Sequence, residues 1–297
     1  MTADVGAFLA AERAVVDTAL DRLLPAADAW PVRLHEAMRY AVFGGGKRVR
    51  PILARAACRA AGSDPVRVLE PGCALELIHT YSLIHDDLPA LDDDRLRRGR
   101  PTVHVAYDEA LAILAGDALL TEGFAVLARF PEGEGAVAVR AEACRLVATA
   151  AGSLGMVGGQ VEDLEATGAA ADAARLERIH RAKTGALLAV AVELGALAAG
   201  VDGEHRRAFA EFGHGLGLLF QIADDILDVT GTAASLGKSP GKDVAAGKLT
   251  YPAVYGLEAT RSRLTELAAE LSRKAAGLEG AGGVLDGLVA YVARRDR

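Results

Sequence analysis

The apolar residues of this chain recur at helical spacing along almost its whole length. Leucine and alanine dominate, and segments such as GCALELIHTYSLIHD (72–86) and FAEFGHGLGLLFQIADDILD (209–228) carry apolar side chains at i, i+3 and i+4. The breaks between such segments are short and rich in glycine and proline, as expected for joints between packed helices. The pattern predicts an all-α fold in which residues 1–297 form a single domain, one large bundle of about ten helices.

Net charge and cysteine content exclude several classes of protein. A formal net charge of -7 leaves no basic surplus for a phosphate backbone, so we expect no nucleic-acid partner. The three cysteines, Cys58, Cys73 and Cys144, form neither a disulfide framework nor a paired metal motif, which favours a reducing, cytoplasmic location. The N-terminal segment lacks a signal-peptide pattern, and no uncharged apolar run is long enough to span a membrane.

Two groups of aspartates interrupt the apolar helices. Their members, in DDLPALDDD (86–94) and DDILD (224–228), include Asp86, Asp87, Asp92, Asp224, Asp225 and Asp228. Asp224 and Asp228 share one helix face, whereas Asp225 is turned away by roughly 100°. Pro89 bends or ends the first helix, which can bring Asp86 and Asp92 toward one point. Either group alone is typical of a solvated helix end, but two groups inside apolar helices favour a Mg²⁺ site completed by waters and substrate phosphates.

Basic residues supply the complement to these carboxylates. Their positions are Lys47, Arg48 and Arg50 after three glycines, Arg95, Arg97, Arg98 and Arg100 after the first acidic group, and Lys183, Lys238, Lys242 and Lys248 further along. Arginine binds phosphate oxygens bidentately, and glycine lets the backbone approach closely. The glycine segment lacks the spacing of a P-loop, so ATP is not implied. A diphosphate bridged by magnesium to carboxylates, in a cavity that is otherwise apolar, indicates a prenyl diphosphate.

Several motifs in one order resemble a known family. They are GGKRVRP, ELIHTYSLIHDDLPALDDDRLRRGRPT, GMVGGQVEDL, KTGAL, FQIADDILD and GKDVAAGKLTYP. Over nearly its whole length the chain resembles the trans-isoprenyl diphosphate synthases (polyprenyl synthetases) of the bacterial farnesyl/geranylgeranyl type. The resemblance implies the isoprenoid synthase bundle with a central diphosphate and metal cavity. It also implies Mg²⁺-dependent head-to-tail condensation of isopentenyl diphosphate with an allylic diphosphate, dimethylallyl or geranyl.

The resemblance further implies roles for individual residues. Three magnesium ions are expected on the allylic diphosphate, held by Asp86, Asp87, Asp92, Asp224, Asp225 and Asp228. The allylic diphosphate site is matched by Arg97, Lys183, Gln221, Lys238 and Lys248, and the isopentenyl diphosphate site by Lys47, Arg50, His79 and Arg98. Gln221 and the pair Lys183 and Thr184 resemble groups whose oxygen dipoles stabilise the allylic cation. The metal neutralises the leaving group, so the resemblance implies that Asp86, Asp92 and Asp224 contribute to catalysis as metal ligands.

Product length in such enzymes is limited by a floor under the allylic tail. The residues four and five positions before the first aspartate lie one helical turn below the metal site, and here they are Ser82 and Tyr81. The ring of Tyr81 favours farnesyl diphosphate as product, while the small Ser82 leaves geranylgeranyl diphosphate as the alternative. Thr121 or Phe124 on a facing helix are further candidates for the floor. The resemblance also implies a homodimer, for which the apolar helix ALAILAGDALLTEGFAVLA (110–128) offers a surface.

Other functions fit the residues less well. A terpene cyclase shares the bundle and the first acidic group, but DDILDVTG lacks the N/D-x-x-S/T-x-x-x-E pattern of its second metal motif. A non-catalytic partner subunit would have lost aspartates or lysines that this chain keeps. An HD phosphohydrolase would need spaced histidines beyond His85-Asp86. Gln160 and Asp163 are expected to orient helices or bound water rather than to contact substrate.

Overall fold

The computed structural model describes residues 5–168, 170, 172–230, 247–279 and 283–294. Within them lie fourteen α-helices, numbered in chain order: α1 Val5–Leu23, α2 Val32–Val42, α3 Val49–Ala60, α4 Leu69–Asp86, α5 Val103–Ala106, α6 Glu109–Arg129, α7 Val137–Ala151, α8 Met156–Ala166, α9 Ala173–Ile179, α10 Ala186–Ala198, α11 Gly203–Thr230, α12 Tyr251–Tyr255, α13 Leu257–Glu279 and α14 Val284–Ala293. The only strands in the described part, β1 Leu96–Arg97 and β2 Arg100–Pro101, pair antiparallel around a tight turn. The predicted all-α architecture is therefore present.

Helices α4 and α10 form the interior of the bundle. Nine of the thirteen residues of α10 are buried, and α4 is buried on nearly every side from Leu69 to Ile84. A helix that is apolar all round must be enclosed by other helices, and here α4 packs against α3 and α6 while α10 packs against α3 and α11. The burial of α4 also explains why its apolar residues are not confined to one face of the helix.

Helix α6 is the one helix of the described chain that is long and apolar enough to cross a membrane, with a mean hydropathy of 1.7. It packs along α4, and Ala115, Leu119 and Leu127 are buried there. This contact makes α6 a core helix of the bundle. Its opposite side carries Ile113 and Leu114, which are 45% and 55% exposed.

A wide turn joins α9 to α10. Residues His180–Gly185 form a π-helical segment continuous with both helices. The backbone hydrogen bonds of such segments depart from the regular α-helical pattern, and the segments occur frequently at functional sites. Here the segment contains Lys183 and Thr184 and packs between α8 and α11.

Candidate active site

A cavity with a volume of about 840 Å³ lies between α3, α4, α8, the π-helical segment and α11. Most of the predicted site residues line it: Lys47, Arg50, His79, Tyr81, Ser82, Asp86, Arg98, Lys183, Thr184, Gln221 and Asp224. Segments that are up to 177 residues apart in sequence, from Lys47 to Asp224, therefore meet around one space. Carboxylates and cationic side chains line the same space, among them Asp86, Asp224, Lys47, Arg50, Arg98 and Lys183.

The first acidic group sits where α4 ends. Asp86 is the last residue of the helix, and the chain then turns back so that the backbone N–H of Asp92 donates to the carbonyl of Asp86 at 2.9 Å. Pro89 lies within this turn, as expected of a residue that cannot continue a helix. The turn holds Asp92 near Asp86, which is the arrangement predicted from the sequence.

The Asp86 carboxyl lies in an environment that disfavours its charge. Burial, together with the negative charges of Asp92 and Asp87, raises the pKa of Asp86 to about 6, although Lys183 acts in the opposite direction. The C-terminal end of a helix also carries partial negative charge, which adds to the effect. An ionised Asp86 is therefore a site for a cation.

The second acidic group occupies the last turns of α11, and its three aspartates differ in environment. Asp224 is half-buried and lines the cavity. Asp225 and Asp228 are 2% and 3% exposed and do not line it. Asp225 accepts hydrogen bonds from the Gln221 side chain and from the backbone N–H of Tyr251, at 2.9 and 2.8 Å. Only Asp224 of this group faces the cavity directly.

Asp87 is likewise turned away from the cavity. Both of its oxygens are bound by Arg97, at 2.7 to 2.9 Å, in a bidentate pair. The pair lines a separate, small pocket beside β1 and β2. Asp87 was predicted to bind metal and Arg97 to bind diphosphate. In the structure these two side chains bind each other.

The cavity is also lined by a group of cationic side chains. Lys47, Arg50 and Arg98, called here the cationic pole, line it together with His79. Burial, with the nearby charge of Arg98, lowers the pKa of Arg50 to about 10, and burial beside Arg50 lowers the pKa of His79 well below its usual value. The Nε atom of Arg50 is buried without a hydrogen-bond partner among the described residues. Positive charges held close together, with an unused donor, are suited to an anion such as a diphosphate.

Arg48 has a structural role, and its side chain does not face solvent. It is buried and binds Asp17, Glu76 and the carbonyl of Val42 at 2.7 to 3.1 Å. The backbone of Arg48 adopts a left-handed conformation, with φ of 52°. These contacts fix the backbone that carries Lys47 and Arg50, and all three residues border the cavity.

Close backbone contacts hold Lys183 and Thr184 in place. A Cβ atom on Gly159 of α8 would overlap the backbone nitrogen of Lys183, and one on Gly217 of α11 would lie 2.7 Å from Cα of Gly185. Glycine at these two positions lets both helices contact the π-helical segment. The Lys183 ammonium is bound by Asp163 at 2.6 Å, so Asp163 orients a predicted site residue.

The apolar part of the cavity includes residues that the sequence motifs did not single out. They include Leu91, Met156, Val157, Val161, Leu164, Leu188 and Phe220. Four of them lie on α8, where Met156, Val157, Val161 and Leu164 recur at helical spacing within GMVGGQVEDL. Any amphipathic core helix has such spacing, so it did not identify them as lining residues.

Tyr81 and Ser82 both line the cavity. Tyr81 is 7% exposed and contacts His85 edge to face, with ring centroids 5.7 Å apart. The hydroxyl of Ser82 donates to the carbonyl of His79 at 2.9 Å, so it is occupied within its own helix. Thr121 and Phe124, the further candidates for the floor, are not among the lining residues.

The remaining predicted lysines belong to the segment after α11. The ammonium of Lys248 lies 3.6 Å from Asp92, which connects this segment to the first acidic group. Lys238 and Lys242 lie outside the described residues.

The carboxylates fit a magnesium ion that takes part of its coordination from a substrate. In the described part of the chain, no group of three or more His, Cys, Asp or Glu side chains is close enough to hold a metal. Asp86 and Asp224 nevertheless face one cavity, and burial raises the pKa of Asp86, so its charged form needs a cation. Magnesium commonly uses one or two carboxylates together with waters and phosphate oxygens, which matches this donor set.

Comparison with known proteins decides the family. The family model described as polyprenyl synthetase matches residues 31–280. Farnesyl diphosphate synthase from Geobacillus stearothermophilus is 45% identical over 257 residues, 86% of each chain. Geranylgeranyl pyrophosphate synthase 11 from Arabidopsis thaliana is 45% identical over 276 residues, 92% of this chain and 76% of that protein. The chain belongs to the polyprenyl synthetase family.

A solved structure extends this likeness to the whole fold. The apo crystal structure of an FPP/GFPP synthase from Zymomonas mobilis has a TM-score of 0.86 and 36% identity, and the match covers 99% of this chain and 100% of that one. The family, the helical bundle and the prenyl diphosphate synthase class predicted from the sequence are confirmed. The roles assigned to single residues stay predictions.

We expect Gly159→Ala to displace the π-helical segment. The added methyl group must move Lys183 and Thr184, which should lower the free energy of unfolding by roughly 1–3 kcal/mol and lower kcat by at least about tenfold, because small misplacements of site residues are costly. Thermal unfolding and steady-state kinetics measure both effects. Gly277→Ala on α13 is the matched control, since nothing lies within 4 Å of the added atom. An equally small effect of both substitutions would contradict the packing argument.

The pKa of Asp86 predicts a pH dependence for magnesium. Below about pH 6 the carboxyl holds a proton that the metal must displace, so the magnesium concentration for half-maximal activity should rise by up to about tenfold per pH unit. Activity measured against magnesium concentration from pH 8 to pH 5 tests this. A half-activating concentration that stays constant over this range would argue against Asp86 as a ligand.

Proposed function

We propose that this protein condenses isopentenyl diphosphate with dimethylallyl or geranyl diphosphate in the presence of magnesium, and that farnesyl diphosphate is its main product. The observation that carries the proposal is the arrangement of one cavity. Asp86 and Asp224, called here the acidic pole, line the same cavity as the cationic pole, together with apolar side chains. Two diphosphates and two isoprenoid groups require the acidic pole, the cationic pole and the apolar lining in one cavity.

The acidic pole is assigned to the allylic diphosphate. Magnesium held by Asp86, Asp92 and Asp224, with up to three ions in the filled site, would neutralise the charge of the leaving diphosphate. Lys183 lies on the same side of the cavity as Asp86, whose charge it affects, and Asp163 fixes its ammonium. This position suits contact with the leaving group.

The cationic pole is assigned to isopentenyl diphosphate, which needs no metal. Arg50 offers an unused buried donor, and Lys47 and Arg98 supply further charge. His79 stays neutral because its pKa is lowered, so it can donate one hydrogen bond without adding to the repulsion. Both substrates are thereby held with their isoprenoid groups in the shared apolar space, which favours the reaction by proximity.

The groups between the two poles would stabilise the charge that develops on the allylic carbon. A carbon–carbon bond forms from the double bond of isopentenyl diphosphate as the allylic carbon–oxygen bond breaks and diphosphate is released. The released diphosphate then takes up the proton that the product loses. The oxygens of Thr184 and Gln221 lie on residues that line the cavity, and fixed dipoles stabilise such a cation without reorganisation.

A homodimer and a cytoplasmic location are also proposed. Helix α6 exposes Ile113 and Leu114 on the side opposite α4, and a second copy of the chain would cover them. Sedimentation of the purified protein measures the assembly. The location follows from the reducing environment that three unpaired cysteines favour.

The function is tested by incubating the purified protein with isopentenyl diphosphate and dimethylallyl, geranyl or farnesyl diphosphate, with magnesium or with a chelator. We expect elongation only with magnesium and a main product of fifteen carbons by mass spectrometry. A main product of twenty carbons would keep the enzyme class and favour geranylgeranyl diphosphate. Cyclic hydrocarbons, or no condensation with any starter, would refute the proposed function.

Tyr81→Ala should lengthen the product. Removing a ring that lines the cavity opens space below the allylic tail, so the product is expected to shift from fifteen to twenty or more carbons. Tyr81→Phe retains the ring and Ser82→Ala changes little volume, and both serve as controls with an unchanged product. A fifteen-carbon product from Tyr81→Ala would show that another residue forms the floor.

A further inference from the structure

The chain contains only two carboxamide side chains, Gln160 and Gln221, and no asparagine. Both line the main cavity. A carboxamide has a donor end and an acceptor end, so its orientation decides whether it presents positive or negative partial charge to a ligand. In this cavity a reversed carboxamide would place N–H groups where a cation is to be stabilised.

Asp225 fixes the orientation of Gln221. Its Oδ1 accepts from Nε2 of Gln221 at 2.9 Å, and its Oδ2 accepts from the backbone N–H of Tyr251 at 2.8 Å. An ionised carboxylate only accepts hydrogen bonds, so the amide must turn its NH₂ group toward Asp225 and its oxygen away from it. Gln160 contrasts with this, because both ends of its amide are buried without a partner in the described residues.

The surroundings of Asp225 hold it away from the cavity. It is 2% exposed, and its Oδ2 lies 3.7 Å from Nε2 of His180. His180 in turn stacks on the ring of Tyr251, with centroids 5.4 Å apart. Asp225 follows Asp224 in sequence, and a helix turns by about 100° per residue, so the two carboxylates leave α11 in different directions.

We propose that Asp225 is a positioning residue that holds the Gln221 oxygen toward the reacting allylic carbon, and is not a metal ligand. The inference rests on the proposed function, because it concerns how that reaction's cation is stabilised. It also gives the two acidic residues at the start of DDILD different tasks: Asp224 belongs to the acidic pole, and Asp225 to the support of the carboxamide. The second oxygen of Asp225 anchors this support to the start of α12 through Tyr251.

Kinetics of Asp225→Asn, Gln221→Met and the double variant test the proposal. Asparagine keeps one acceptor and replaces the other with an NH₂ group, so it cannot accept from both Gln221 and Tyr251. We expect Asp225→Asn to lower kcat by about 10- to 100-fold, with KM for both diphosphates and the half-activating magnesium concentration within about twofold of the original values. The double variant should lose no more than Gln221→Met alone, because the effect of Asp225 passes through Gln221.

Two kinetic results would overturn the proposal. Multiplicative losses in the double variant would show that Asp225 acts independently of Gln221. A rise of more than about fivefold in the half-activating magnesium concentration for Asp225→Asn would identify Asp225 as a metal ligand. Asp224→Asn is the matched comparison on the neighbouring residue, and there such a rise is expected.

A spectroscopic measurement tests the placement without any activity. Glutamine labelled with ¹⁵N in the side chain should give only two NH₂ pairs, and Gln221→Met assigns them by removing one. We expect one proton of the Gln221 pair to be shifted downfield by the carboxylate, relative to the Gln160 pair. Similar shifts for the two pairs would overturn the proposal, and this test needs no folded Asp225 variant. If the wild-type enzyme fails to condense prenyl diphosphates, the proposed function is refuted, while the spectroscopic test of the Gln221 orientation still stands.

Discussion

Negative charge concentrated at the ends of two helices is the constraint on which the rest of the site depends. Helix α4 ends at Asp86, and α11 carries Asp224 within its last two turns. Both carboxylates add to the partial negative charge of a helix C-terminus, and both face a cavity of low polarity. Placing two carboxylates in this environment is electrostatically unfavourable unless a cation is near them. Binding of a cation at Asp86 and Asp224 is therefore electrostatically favoured.

The rest of the bundle supports this charge arrangement in two ways. Interior helices α4 and α10 are enclosed on all sides, which gives the site rigid walls. The π-helical segment between α9 and α10 departs from regular geometry where Lys183 and Thr184 must reach the cavity. Glycines on the neighbouring helices allow that departure, since any side chain there would collide with the segment. Packing in the core and placement of the site therefore depend on the same contacts.

Several charged residues near the cavity are bound to each other. Arg48, between Lys47 and Arg50 in the sequence, is buried and bound to Glu76. Asp86 lines the cavity, while the neighbouring Asp87 is held by Arg97. Such pairing fixes the elements that carry the residues lining the cavity.

The sequence by itself determined the class of fold and predicted the chemistry of the site. Helical spacing of apolar residues determined an all-α bundle, and two aspartate groups with glycine-rich basic segments indicated a metal-bridged diphosphate. The inference of the fold is confirmed because it depends on local spacing and residue type, and the metal-bridged diphosphate stays a prediction. Helical spacing alone also predicted that Asp225 points away from Asp224, since consecutive residues leave a helix in different directions.

Only the tertiary structure decided which member of each motif faces the cavity. The contacts of Asp87 with Arg97 and of Asp225 with Tyr251 join residues that a motif cannot relate, because their geometry depends on how separate segments pack. The apolar wall from α8 was undecided for the same reason, since Met156 and Val161 have the spacing of any core helix. The position of a residue in the sequence fixes the direction in which its side chain leaves the helix. The packing of neighbouring helices decides which groups that side chain contacts.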